Sequence, residues 1–186
     1  TVYHQVGIST NGILTFDTSH TPGADYSGTM LSSAAPNGFI APLWADMKCS
    51  SATRISAGQV DTNETGGVIA YAVQFQDIAF YDESGTDSTS SYDVSFEVRI
   101  YETGEIKFSY KDFADALGYM SVFGVGVEDM SGTHGLNLVS DLPFASGQAF
   151  AVTLKAWSRP ETQTDGTLAA QASVDIVYSL NPVKAA

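Results

Sequence analysis

Ten consecutive residues, Tyr92-Asp93-Val94-Ser95-Phe96-Glu97-Val98-Arg99-Ile100-Tyr101, alternate with a period of two. Tyr92, Val94, Phe96, Val98 and Ile100 fall on one face, and Asp93, Ser95, Glu97 and Arg99 on the other. Successive side chains of a strand point to opposite sides, so the pattern is that of a half-buried antiparallel strand. Glu102-Thr103-Gly104 then turns the chain, with Gly104 free to take positive φ. The segment Glu105-Ile106-Lys107-Phe108-Ser109-Tyr110 returns with Ile106, Phe108 and Tyr110 inward, completing a hairpin.

The same reading predicts a strand over 13–16 after the turn Thr10-Asn11-Gly12, and further strands over 68–75, 119–127, 136–139, 148–157 and 172–180. Residues 2–8 read as strand from the outset. Residues 39–44 are apolar throughout, as in a strand covered on both sides, and Pro42 calls for an edge or a bulge there. In 68–75, Tyr71, Val73 and Phe75 share a side; in 172–180, Val174, Ile176, Tyr178 and Leu180 alternate with Ser173, Asp175, Val177 and Ser179. Helical signal is poor, and only 111–117 suits a turn or two. About ten short strands with Gly, Ser and Asp between them predict an all-β chain, an antiparallel β-sandwich with little helix. At 186 residues the chain suits one domain, 1–186, with 158–171 as a loop or linker to an additional terminal strand. Two segments stand out: 17–37, too long for a simple connector, and 82–91, which is polar and acidic.

Charge narrows the partners. Eight basic and 21 acidic residues leave a formal net charge of −13, a field that repels phosphate backbones and anionic lipid. No apolar run approaches the roughly 20 residues that span a bilayer. Nucleic acid and membrane insertion are therefore not expected. Cys49 is the only cysteine, so no intramolecular disulfide forms. Scarce Lys and Arg beside abundant Ser, Thr, Gly, Asp and Asn lean toward a secreted or cell-surface protein of bacterial type. No leader of the secretory kind is visible at Thr1-Val2-Tyr3-His4, and the chain reads as a mature fragment or excised domain of something larger.

Four segments in order resemble the nidogen-type (NIDO-like) extracellular domain. They are 6–16 with Ser9-Thr10-Asn11-Gly12-Ile13-Leu14-Thr15-Phe16, then Ile40-Ala41-Pro42-Leu43-Trp44-Ala45-Asp46-Met47, then 98–110 with Tyr101-Glu102-Thr103-Gly104, and Gly124-Val125-Gly126-Val127-Glu128-Asp129. The resemblance covers roughly 1–155. It implies a β-sandwich module of matrix, adhesive or surface proteins, without catalytic residues. The long 17–37 segment and the terminal strand depart from it. Read physically, Asn11-Gly12 suits a tight turn, Trp44 presents a large apolar surface to the core, and Asp46 can accept backbone N–H groups where a strand ends.

Few residues suggest chemistry. Asp129, Ser131 and His134 lie within six residues, yet triad members normally arrive from separate strands and no Gly-x-Ser-x-Gly elbow exists, so this reads as a hairpin loop. A carboxylate pair such as Glu97 and Glu105 reads as the outward polar face of a hairpin. His4, His20 and His134 lack metal-ligand spacing. No cofactor is required; calcium is the one metal to consider, through Asp82, Glu83 and Asp87, with Asp61-Thr62-Asn63-Glu64 second. Trp157, Tyr26 and Tyr81, and with them Tyr101, are the aromatics that phase or loop position leaves free for a ligand. Cys49 reads as a small buried or loop-edge thiol.

The expectation is a non-catalytic binding, adhesion or matrix-scaffold module, not an enzyme, that meets a protein or glycan alongside other domains of its parent chain. The alternative is an accessory carbohydrate-binding domain of a secreted hydrolase using Trp157. A cryptic hydrolase built on Asp129 and His134 or a carboxylate pair is third.

Overall fold

The computed structural model describes residues 4–17, 19, 36–62, 68–80, 93–112, 124–138 and 149–153. Among the described residues there is no helix, and eleven strands form. They are β1 Gly7–Ile8, β2 Leu14–Thr15, β3 Phe39–Trp44, β4 Met47–Lys48, β5 Arg54–Thr62, β6 Val68–Phe80, β7 Asp93–Tyr101, β8 Glu105–Asp112, β9 Gly124–Glu128, β10 Gly135–Asn137 and β11 Ala149–Thr153. All pair antiparallel, in two sheets. The smaller runs β1-β2-β3-β9-β10 and the larger β11-β8-β7-β6-β4, with β5 also on β6. The expected all-β antiparallel sandwich is thus the architecture found.

The alternating hairpin is β7–β8. Val98 stands opposite Phe108 and Ile100 opposite Ile106, so the inward residues of the two strands share one face. Val94, Phe96, Val98, Ile106, Phe108 and Tyr110 are buried there with Val73, Phe75 and Ile78 of β6. From the smaller sheet Leu14, Ile40, Leu43, Val125 and Leu138 complete the same core. Phe75 and Phe96, paired in register, stack with centroids 4.6 Å apart. The core therefore fills the space between two apolar faces that neither sheet could cover alone.

Bulges set where the alternation changes phase. Phe75 pairs Phe96 but Ile78 pairs Val94, so one extra residue lies in β6, and Asp77 there takes φ of 50°. Inward positions consequently shift from Val73 and Phe75 to Ile78. The bulge also divides the outer edge of β6: β5 pairs Val68 to Gln76, and β4 pairs Ala79 and Phe80. Pro42 lies at a second irregularity, between Ala41 and Trp44, in a strand flanked on both sides. Its carbonyl accepts the buried Tyr110 hydroxyl from the opposite sheet.

Strand β3 is buried along its whole length, as its composition predicts. Ile40 and Leu43 enter the main core, while Phe39, Ala41 and Trp44 join Ile13 in a second buried cluster. Trp44 therefore serves that second cluster rather than the main core. Its ring meets Phe39 edge-on at 5.1 Å.

Two sequence motifs meet at one point. Gly12 has φ of 75°, and a side chain there would come within 1.9 Å of the Leu43 carbonyl oxygen. Beside it Asn11 is buried; its Oδ1 accepts the Met47 N–H at 2.9 Å and its backbone carbonyl accepts the Ala45 N–H at 3.3 Å. The Asn-Gly turn is thus latched onto the bend between β3 and β4, with Asn11 taking the backbone groups at that strand end.

Several expectations change. Lys111 and Asp112 continue β8 as strand, where the sequence suggested the start of a short helix. Strand β5 went unforeseen because Arg-Ile-Ser-Ala-Gly-Gln-Val-Asp-Thr does not alternate cleanly, and most of it is exposed. Tyr101, expected outside the core, is buried. The linker 158–171 and the terminal strand 172–180 lie outside the described residues.

Candidate functional site

The β9–β10 loop gathers the polar side chains that most resemble a reactive centre. Asp129 follows β9, and Gly132, with φ of 71°, turns the chain back toward His134. The Ser131 hydroxyl donates to Asp129, with Oδ1 at 2.8 Å and Oδ2 at 3.0 Å. His134 Nδ1 lies 3.2 Å from Asp129 Oδ2 and 3.1 Å from the Thr133 hydroxyl. Backbone N–H groups of Ser131 and His134 also point at Asp129 Oδ1. This concentration of donors, led by the Ser131 hydroxyl, holds the Asp129 carboxyl down at about 2.

The sequence read these residues as an ordinary turn, and the structure does bring all of them together. Their arrangement is nonetheless not that of a nucleophile and its base. In a triad the carboxylate holds Nδ1 while the hydroxyl bonds Nε2. Here the Ser131 hydroxyl sits on the carboxylate itself, and a carboxylate ionising near 2 is a poor proton acceptor at neutral pH. The His134 side chain is 83% exposed, so water is not excluded either. Its hydrogen bonds close the loop between β9 and β10.

A second polar group sits at the β6 bulge. The Asp77 N–H donates to the buried Ser95 hydroxyl at 3.1 Å, and Thr53 Oγ1 donates to the Asp77 carbonyl at 2.8 Å. Partial burial, with the Asp77 charge second, raises the Asp93 carboxyl above its usual range. These bonds tie β5, β6 and β7 together where the ladder is interrupted. Among the described residues no group of three or more His, Cys, Asp or Glu is placed to hold a metal ion.

The carboxylate pair of the β7–β8 hairpin is not assembled. Glu97 stands between Gln74 and Ser109 and is bonded to Arg99 Nε at 2.6 Å, whereas Glu105 stands opposite Thr153. Cys49 is exposed, between β4 and β5. Trp157, Tyr26 and Tyr81, and the calcium candidates Asp82, Glu83 and Asp87, lie outside the described residues. So do Asn63 and Glu64, while Asp61 and Thr62 end β5.

One surface escaped the sequence reading. Ile55 of β5, at 37% exposure, and Ile69 and Tyr71 of β6, at 41% and 37%, share the inward-facing phase yet remain open. Val73 and Phe75, on the same face, are fully buried. Cover on this face is therefore lost along β6 between Val73 and Tyr71 and, on the neighbouring strand, at Ile55 opposite the buried Phe75. Period-two patterning identifies the face but not where its cover ends.

Comparison with curated proteins and with solved structures finds no match. No helix among the described residues is long and apolar enough to cross a membrane. The NIDO-related family model matches residues 1–168, the span that contains both sheets and the latched Asn-Gly turn. The chain belongs to the NIDO-related family.

Proposed function

We propose that this domain is a non-catalytic binding or scaffold module of a larger secreted or surface protein of bacterial type. It meets a protein or a glycan through its long connecting segments, 17–37 and 82–91. Membership of a family whose domains are typically extracellular supports the setting. The observation that carries the non-catalytic reading is the position of the Ser131 hydroxyl, which donates to Asp129 instead of facing the far nitrogen of His134. The group of Thr53, Asp77 and Ser95 likewise bridges the β6 bulge.

The experiment pairs two assays on the same preparation. Panels of ester, peptide and glycoside substrates are expected to show no turnover above buffer, for wild type and His134→Ala alike. Arrays of glycans and matrix proteins are expected to capture the wild type, with capture lost when 82–91 is replaced by a Gly-Ser segment of equal length. Turnover that disappears in His134→Ala would overturn the reading.

A further inference from the structure

An asparagine followed by glycine is prone to deamidation, because glycine puts no side chain in the way of its own nitrogen. Asn11-Gly12, the turn latched onto the β3–β4 bend, is such a pair. In the reaction the Gly12 nitrogen gives up its proton and bonds to Asn11 Cγ, and the side-chain amide leaves with that proton as ammonia. Water then opens the cyclic imide. Opening at the main-chain carbonyl gives isoaspartate, opening at Cγ gives aspartate, and no oxidant or reductant is consumed.

Both reacting groups are engaged in the folded turn. The Gly12 N–H donates to the Ser9 carbonyl at 3.1 Å. Asn11 Oδ1 accepts the Met47 N–H at 2.9 Å, and the Asn11 N–H donates to the buried Ser9 hydroxyl at 3.1 Å. Attack needs the Gly12 nitrogen without its proton, which ends the Ser9 carbonyl bond. It also needs Cγ carried onto that nitrogen, which draws Oδ1 off Met47. Asn11 is only 6% exposed, so the water of the second step is kept away as well. We propose that Asn11 is a modification site gated by this latch: the closed turn preserves the amide, and each opening exposes it to conversion into an isoaspartate that the bend cannot take back.

The opening is local. The turn joins β1 and β2, strands of two residues each, whose mutual pairing is Gly7 with Thr15 and Ile8 with Leu14. So short a ladder lets the turn leave the bend while the β6–β7–β8 sheet stays folded. The product does not fit on return. Isoaspartate routes the main chain through the former side-chain carbon, lengthening it where the backbone has least room. A Cβ on Gly12 would already come within 1.9 Å of the Leu43 carbonyl oxygen. The acceptor used by the Met47 N–H is displaced by the same change. The gate does not depend on the binding function proposed above.

The test incubates the full 186-residue chain at mildly alkaline pH, folded in buffer and unfolded in guanidinium. Peptide mapping by mass spectrometry separates Asn11 from Asn37, which also precedes a glycine. Asn11 is expected to deamidate at least about a hundredfold more slowly in the folded chain, since two buried bonds must break together. Ser9→Ala removes the hydroxyl partner of the Asn11 N–H. It is expected to speed the folded-state reaction at least about fivefold and to leave the unfolded-state rate unchanged. Gly104→Ala, in the separate β7–β8 turn, is expected to leave the folded-state rate unchanged. Chains carrying isoaspartate at position 11 are expected to melt below the wild type after return to buffer. A folded-state rate within about tenfold of the unfolded one would overturn the proposal, and this ratio decides even where Ser9→Ala does not fold. A folded Ser9→Ala chain that deamidates no faster would overturn it as well. Equal acceleration by Gly104→Ala would place the gate in global unfolding and so overturn it, as would modified chains that regain the wild-type melting temperature.

Discussion

Gly12→Ala is the sharpest probe of how this sandwich is held together, because two separate costs meet there and a second glycine isolates one of them. Gly12 has φ of 75° and Gly104 has φ of 87°, so each is in a region where a side chain costs about 1–2 kcal/mol. Their surroundings differ. A Cβ at Gly104 meets nothing within 4 Å, whereas at Gly12 it would lie 1.9 Å from the Leu43 carbonyl oxygen and 2.7 Å from Met47 Cε. The methionine tip can swing away, but the carbonyl is backbone of a fully buried strand and cannot yield without moving β3. Forcing a methyl into packed surroundings costs about 1–3 kcal/mol more. Gly12→Ala is therefore expected to lose about 2–5 kcal/mol and Gly104→Ala about 1–2 kcal/mol. Against a typical total of about 5–15 kcal/mol, the first is severe and the second tolerable. Urea unfolding at constant m-value measures both, and at roughly 2–4 °C per kcal/mol the Gly12 variant melts roughly 4–20 °C lower. If the two variants lose the same free energy to within about 0.5 kcal/mol, the latch of the Asn-Gly turn onto the β3–β4 bend is not what this position serves.

Other outcomes follow from particular groups. Tyr110→Phe leaves the buried Pro42 carbonyl without its cross-sheet donor and is expected to cost about 1–3 kcal/mol in the same assay. Burial also raises the Tyr110 phenol well above 10, so its stabilising contribution is whole below pH 10 and is lost as pH rises through the folded value. The wild type should therefore lose more stability than Tyr110→Phe in alkaline melts. For Asp129 the sign is opposite: its pKa falls from 3.8 to about 2 on folding, so stability present above pH 4 is lost as pH drops toward 2. Asp129→Asn should flatten that acid limb of the melting curve, and an unaltered limb would count against the loop network. A calcium ion held by Asp82, Glu83 and Asp87 would raise Tm, by about 2.7 kcal/mol of stabilisation at a hundredfold excess over Kd. A melting temperature unmoved by millimolar calcium or by EDTA removes that ion.

Much of the fold is legible along the chain because burial on one side of a sheet writes a period of two into the sequence. The β7–β8 hairpin shows it: Val94, Phe96, Val98, Ile106, Phe108 and Tyr110 all point where their alternation places them, and Gly104 takes the expected positive φ. The same signal is silent for β5, whose two faces are both largely open, and it changes phase without warning at Asp77. It also cannot say how far a cover extends, which is why Tyr71 shares a face with Val73 and yet is open to water. The candidate chemistry divides in the same way. Residue spacing alone brought Asp129, Ser131 and His134 to notice, but only the folded loop shows the serine hydroxyl on the carboxylate. Local pattern thus determined the strands, the turns and the sandwich class, since each depends on neighbours within a few residues. Register, bulges and the Asn11 latch were decided by tertiary structure, because each depends on groups distant in sequence competing for the same space and the same hydrogen bonds.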